Sequence, residues 1–177
     1  MKQSSKCAIG GIVAALSLVL LISIAVVPFL TYALPAFAGA ILIFAVIEIG
    51  KKWAFGIYAA VSILGIFLVP EKEVAVMYLA FFGYYPILKA VLESHFRRVT
   101  EWFLKIIAFL ASMTISYYLM IKCMGITVDE LDTYGLIAIP ALLGLGCFAF
   151  VIYDIMLSKV IEIYMAKWRR HFKKYFK

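Results

Sequence analysis

The first long apolar run decides the fold: AIGGIVAALSLVLLISIAVVPFL, extending from Ala8 to Leu30 without a charged residue. It exceeds the roughly 20 helical residues that cross about 30 Å of hydrocarbon. Lys2 and Lys6 precede it, and Ala36-Phe37-Ala38 resembles a signal-peptidase site. Because a signal-peptide core has only about 7–15 apolar residues, we predict a first transmembrane helix that is retained.

Five further apolar runs follow along the chain: Pro35–Gly50, Trp53–Val69, Val74–Leu92, Trp102–Ile121 and Tyr134–Ser158. Hydrophobic residues make up 66% of the 177 residues and charged residues 15%, against roughly 45–50% and 25% in soluble domains. The mean hydropathy of +1.05 excludes a soluble enzyme, a disordered chain and a cytosolic nucleic-acid binder. We predict an all-α polytopic membrane protein, with a six-transmembrane-helix bundle over residues 1–158.

The distribution of basic residues predicts the orientation of the bundle. Fifteen of the 17 lysines and arginines fall on one side of the six runs, and only Lys72 and Lys122 fall on the other. Because cytoplasmic loops carry the excess of basic residues, we expect a multi-pass plasma-membrane protein with both termini in the cytoplasm. The net charge of +7 is then explained by these loops, and no nucleic acid is expected as a partner.

The last segment, residues 159–177, predicts a basic amphipathic cytoplasmic tail. It interleaves lysines and arginines with Trp168, Phe172 and Phe176. Each base near anionic lipid contributes about 1 kcal/mol of binding, and the aromatic rings suit the membrane interface. The tail is either a lipid-bound topology anchor or a contact site for a cytoplasmic protein.

Catalytic motifs are not found in the sequence. The histidines, His95 and His171, lie in basic segments, and neither HExxH nor GxSxG occurs. Cys7, Cys123 and Cys147 are far apart and form no zinc-type pair. We therefore expect no catalytic residue, metal or cofactor, and we do not expect an enzyme.

Three ionisable residues lie near the predicted cytoplasmic ends of apolar runs, where charge is less costly than at mid-membrane. Glu48 is expected to pair with Lys52 at i,i+4, and Lys89 to extend its ammonium towards water. Asp154 is the exception, because its carboxylate is placed to face a neighbouring helix. The positions predict interfacial charges rather than a proton or sodium relay.

Small residues open the first run, where Gly10/Ala14 and Gly11/Ala15 form two small-xxx-small pairs. Such pairs let membrane helices approach closely. They serve either packing inside the bundle or docking of another protein.

Tyrosines concentrate towards the predicted outer half of the bundle. They fit either an outward-facing cavity that holds a flat organic ligand or an ordinary aromatic belt at the interface. Within the fourth run, Pro86 follows Gly83 and predicts a kink, because proline removes one helix hydrogen bond.

Together, the six runs, the basic leader before Ala8-Ile9-Gly10-Gly11-Ile12-Val13-Ala14-Ala15 and the Leu34-Pro35 turn resemble the substrate-binding S component of energy-coupling factor (ECF) vitamin transporters. The family lies in the bacterial inner membrane and docks a coupling subunit with ATPases through an Ala-xxx-Ala pattern. The matching positions here are Gly10, Gly11, Ala14 and Ala15, with glycine in place of the first alanine.

The resemblance implies uptake of a vitamin-like nutrient that binds on the outer side. By location, the implied ligand-binding residues are Tyr32, Tyr78, Tyr117, Tyr118, Asp132 and Tyr134. The alternative is a non-transporting membrane scaffold that organises a partner complex through the first run and the tail. A lipid-handling protein or an intramembrane enzyme is the third possibility.

Overall fold

The structure is a computed structural model that describes residues 3–124 and 138–168, and these residues form an all-helical bundle. Its helices are α1 Gln3–Ile22, α2 Ala33–Glu48, α3 Lys51–Leu68, α4 Lys72–Met77, α5 Tyr85–His95, α6 Arg98–Met124 and α7 Ala138–Ile163. A π-helical segment, Tyr78–Phe82, joins α4 to α5, and a second π-helical turn, Tyr164–Trp168, follows α7. Two 3₁₀ turns, Ser23–Ala25 and Pro28–Leu30, lie between α1 and α2.

Five helical stretches of the described chain are long and apolar enough to cross a membrane: Gln3–Ala25, Lys51–Leu68, Lys72–His95, Arg98–Ser116 and Leu143–Lys167. The helix Ala33–Glu48 is apolar but shorter. The expectation of a helical membrane protein is therefore supported, whereas the count of six crossings stays a prediction. The amphipathic tail also stays a prediction, because residues 169–177 lie outside the described chain.

The helix ends follow local chemistry. The backbone at Gly50 has a φ of 94°, a conformation that only glycine adopts readily, and it separates α2 from α3. Val69 is extended before Pro70, as expected of a residue that precedes proline. The predicted Glu48–Lys52 pair does not form within one helix, because Gly50 intervenes; Glu48 instead accepts a hydrogen bond from the Tyr164 hydroxyl at 3.1 Å.

Contacts between distant segments define one end of the bundle, which we call the basic end. Lys51 Nζ donates to Ser94 Oγ at 3.1 Å, so the α2–α3 turn lies beside the end of α5. The Tyr164–Glu48 bond brings the end of α7 to the same place. The opposite end carries Glu71 and Glu73, and we call it the acidic end. There, partial burial and the nearby Glu73 carboxylate raise the pKa of Tyr32. Which side of the membrane each end faces stays a prediction.

The region around Pro86 is irregular, as the sequence predicts. The π-helical segment ends at Phe82, and α5 restarts at Tyr85 with Pro86 in its first turn. The Tyr58 hydroxyl donates to the Leu79 carbonyl oxygen at 2.6 Å, which satisfies an acceptor in the π-helical segment. Here α2 crosses the π-helical segment very closely: a Cβ added at Gly39 would lie 2.2 Å from the Phe82 carbonyl oxygen.

Two apolar clusters fill the bundle. The first joins α1, α2, α3 and α4 around Leu21, Leu42 and Val61. The second is aromatic and joins the π-helical segment and α5 to α6 and α7. Phe81 lies at its centre, 5.3 Å from the Phe109 ring and 5.7 Å from the Phe150 ring. Tyr85 belongs to this aromatic cluster and donates a hydrogen bond to the charged residue Asp154.

Candidate functional site

An open groove runs between α1 and α3 at the basic end, and we call it the α1–α3 groove. Its volume is about 440 Å³, and its lining consists of Cys7, Gly10, Gly11, Ala14, Lys52, Trp53, Gly56, Ile57 and Ala60. Three of the four predicted docking residues, Gly10, Gly11 and Ala14, therefore line one surface feature. The fourth, Ala15, is exposed but is not part of the lining.

Glycine leaves part of the groove open. A Cβ added at Gly11 or Gly56 would meet no atom within 4 Å, whereas one at Gly10 would touch Ile57 Cδ1 at 3.4 Å. Packing between α1 and α3 thus accounts for Gly10 but not for Gly11 or Gly56. A third small-xxx-small pair, Gly56/Ala60 on α3, also lines the groove; it was not among the predicted docking residues, although the same spacing marks it.

A second feature is a buried cluster of charged residues at the basic end, which we call the ion-pair cluster. It consists of Lys89 and Glu93 from α5, Glu101 and Lys105 from α6, and Asp154 from α7. Lys89 Nζ lies 2.5 Å from Asp154 Oδ1, and Lys105 Nζ lies 3.2 Å from the same carboxylate. One carboxylate therefore connects three helices.

The side chains of Lys89 and Lys105 are each 1% exposed. The prediction that Lys89 extends to water is therefore wrong, because Asp154 and Glu93 provide its partners inside the bundle. Asp154 does face neighbouring helices, and its carboxylate also accepts a hydrogen bond from the Tyr85 hydroxyl at 2.6 Å. The i,i+4 pairs Lys89/Glu93 and Glu101/Lys105 are the signals of this cluster that the sequence contains.

The predicted ligand-binding tyrosines have different environments. Tyr78 is fully buried, and its hydroxyl has no hydrogen-bond partner among the described residues. Tyr32 and Tyr118 are exposed. The side chain of Tyr117, and Asp132 and Tyr134 entirely, lie outside the described residues. Tyr32, Tyr78 and Tyr118 do not line the α1–α3 groove, and a ligand pocket made from the six residues stays a prediction.

In the described ranges, no group of three or more His, Cys, Asp or Glu residues is arranged to hold a metal ion. Two features of the described residues have a defined geometry, the α1–α3 groove and the ion-pair cluster. Comparison with known proteins identifies no relative: no family model, no curated protein and no solved structure matches this chain.

Proposed function

We propose that this chain is a membrane-embedded subunit whose α1–α3 groove docks a transmembrane helix of a partner protein. We further propose that it acts as the substrate-binding component of an ECF-type uptake transporter for a vitamin-like micronutrient. The observation that supports docking is the open groove itself, in which Gly11 and Gly56 have no neighbour within 4 Å of an added Cβ.

The groove has the surface chemistry that membrane helices use to associate. Lipid tails are as apolar as leucine side chains, so helices in a membrane gain little from the hydrophobic effect and associate through close packing. Gly11 on α1 and the Gly56/Ala60 pair on α3 lie on adjacent helices of the groove and allow a partner backbone to approach both. The apolar residues Ile12, Leu16 and Val19 extend the exposed face of α1 beyond the groove.

The transport part of the proposal rests on the resemblance to ECF S components and on the aromatic composition. The chain would capture a small ring-containing nutrient by aromatic stacking and hydroxyl contacts, and the partner's ATPases would drive its release. The Tyr78 hydroxyl, buried without a hydrogen-bond partner among the described residues, is the described tyrosine group that a ligand would satisfy.

The second candidate is a non-transporting scaffold, and one observation favours it. Three predicted docking residues line a single groove, whereas the described ligand-binding candidates, Tyr32, Tyr78 and Tyr118, do not share one environment. A scaffold needs the groove and no ligand pocket. Ligand binding therefore separates the two functions.

Docking is tested by purifying the full chain from its native membrane as Gly11→Leu and Gly56→Leu variants. Both leucines fill the groove without meeting an internal atom within 4 Å of Cβ, so the melting temperature should not change. We expect at least a tenfold loss of a co-purifying coupling subunit and its ATPases. Gly144→Leu is the matched control, because Gly144 on α7 is equally open. Equal recovery of the complex in all three variants would refute docking in the groove.

Transport is tested by a thermal-shift screen of vitamins and their precursors against the detergent-solubilised chain. A ligand at 100 times its Kd stabilises the folded state by about 2.7 kcal/mol, which raises the melting temperature measurably. If no compound does so while the groove variants lose the partner, the scaffold function is favoured.

A further inference from the structure

We propose that, when no partner is docked, the α1–α3 groove binds one anionic phospholipid. An acyl chain of the lipid lies along the groove, and its phosphate pairs with the Lys52 ammonium. The inference goes beyond the proposed function, because it concerns the chain without a partner. A partner helix that docks in the groove displaces this lipid.

The groove follows a straight path along α3 that suits an acyl chain. Lys52, Gly56 and Ala60 are spaced four residues apart, so they share one helix face, and all three line the groove. At a rise of about 1.5 Å per residue, this face extends about 12 Å from Lys52. The floor is open at Gly11 and Gly56, where an added Cβ would meet no atom within 4 Å. In a bilayer, lipid tails cover the apolar surface that protein leaves free, so a tail has access to this floor.

The two helices that form the groove run in the same direction. A Cβ added at Gly10 would touch Ile57 Cδ1 at 3.4 Å, and one added at Gly65 would touch Leu21 Cδ1 at 3.8 Å. Later residues of α1 therefore meet later residues of α3. The groove consequently begins at the basic end and continues into the apolar part of the bundle.

The lining of the groove is polar at one end only, as a phospholipid is. Lys52 is the charged residue among the lining residues that the structure describes, and Trp53 lies next to it. Tryptophan is enriched at the membrane–water interface, and lysine extends its ammonium to the same level. Ala14 and Ala60, at the other end of the groove, are small and apolar.

The Lys52 ammonium is available to a phosphate. Its side chain is exposed and forms no hydrogen bond or ion pair with the described residues. Glu48, the acid predicted to pair with it, accepts a hydrogen bond from Tyr164 instead. The adjacent Lys51, by contrast, donates to Ser94. Because basic pockets between transmembrane helices bind anionic head groups, Lys52 should favour an anionic lipid over a zwitterionic one.

The test is quenching of tryptophan fluorescence by brominated lipids, which requires close contact between the bromine atoms and the indole ring. Trp102→Phe and Trp168→Phe leave Trp53, in the groove, as the fluorophore. The chain is reconstituted in phosphatidylcholine bilayers with equal additions of dibrominated phosphatidylglycerol or dibrominated phosphatidylcholine. One lysine near an anionic surface strengthens binding about fivefold, so phosphatidylglycerol should quench Trp53 with about fivefold higher apparent affinity. Equal quenching by the two lipids would overturn the proposal, because the groove would then contact unselected lipid only.

Two neighbouring lysines provide a matched pair of variants. Lys52→Gln should lower the apparent affinity for phosphatidylglycerol about fivefold, to that of phosphatidylcholine. Lys51→Gln removes the ammonium that is bound to Ser94 and should leave the affinity unchanged. An equal loss in both variants, or no loss in either, would refute a head-group site at Lys52. Gly11→Leu and Gly56→Leu fill the groove and should weaken quenching by both lipids; unchanged quenching would refute an acyl chain in the groove.

Native mass spectrometry keeps the test decisive if Trp102→Phe does not fold, since the Trp102 ring lies 5.5 Å from Lys105 Nζ. The chain with its natural tryptophans is released from micelles that contain both lipids, and the ratio of bound phosphatidylglycerol to phosphatidylcholine is measured. A preference for phosphatidylglycerol that Lys52→Gln loses and Lys51→Gln keeps supports the proposal; the same ratio in both variants overturns it. Neither measurement contains a partner, and Lys52→Gln keeps the glycines of the groove. Failure of the lipid site and failure of docking are therefore distinguishable.

Discussion

Replacing Asp154 with leucine should lower the free energy of unfolding by about 3 kcal/mol, the lower end of the roughly 3–5 kcal/mol cost of breaking a buried ion pair. The lower end applies because the lysines keep other acceptors: Lys89 keeps Glu93, and Lys105 keeps Glu93 and Glu101. Stability is lost because two ammonium groups stay buried with fewer partners and because the Tyr85 hydroxyl loses its hydrogen-bond acceptor.

The assay is reversible unfolding in mixed micelles, with tryptophan fluorescence as the signal. Lys89→Leu should cost a similar amount, and the double variant should cost less than the sum of the two by at least about 1 kcal/mol, since the residues are in direct contact. Lys159→Gln, which breaks an exposed pair, should change stability by less than about 1 kcal/mol. The ion-pair cluster as described would be refuted if the stability losses of the two single variants simply added in the double variant. It would also be refuted if Asp154→Leu were as stable as Lys159→Gln.

Other predictions concern the helix crossing and the π-helical segment. Gly39→Ala should destabilise the bundle by about 1–3 kcal/mol, because its Cβ would lie 2.2 Å from the Phe82 carbonyl oxygen and overpacking carries a cost of this size. Gly144→Ala is the control: its Cβ would meet no atom, so this variant should keep the melting temperature of the parent. If Gly39→Ala and Gly144→Ala changed the melting temperature equally, the close crossing at Gly39 would be contradicted. Tyr58→Phe should cost about 1–2 kcal/mol in the micelle assay, because the Leu79 carbonyl loses its side-chain donor. An unchanged stability would mean that this bond is not formed.

Much of the helical framework was predictable because apolar runs report burial in lipid directly. The predicted runs Pro35–Gly50 and Trp53–Val69 agree with α2 and α3 to within a few residues. The first run was predicted to continue to Leu30, but α1 ends at Ile22. The Ser23 hydroxyl donates back to the Val19 carbonyl at 2.7 Å, a bond that often bends helices.

The candidate sites were only partly predictable. Small residues on α1 indicated a contact surface because their spacing within one helix is visible in the sequence. The partner surface on α3 required knowing which helices are neighbours. The burial of Lys89 depends on Asp154, which is distant in sequence and adjacent only after folding. Spacing alone therefore placed that lysine at the water interface, although the fold encloses it.

The most direct test of docking is photo-crosslinking in intact native membranes, with a photoactivatable phenylalanine analogue in place of Trp53, which already lines the groove with an aromatic side chain, or of Phe148, an exposed aromatic residue on α7. We predict that the Trp53 position forms a covalent product with a transmembrane coupling subunit and that the Phe148 position does not. Adducts with lipid alone from Trp53, or the same protein adduct from both positions, would contradict the account.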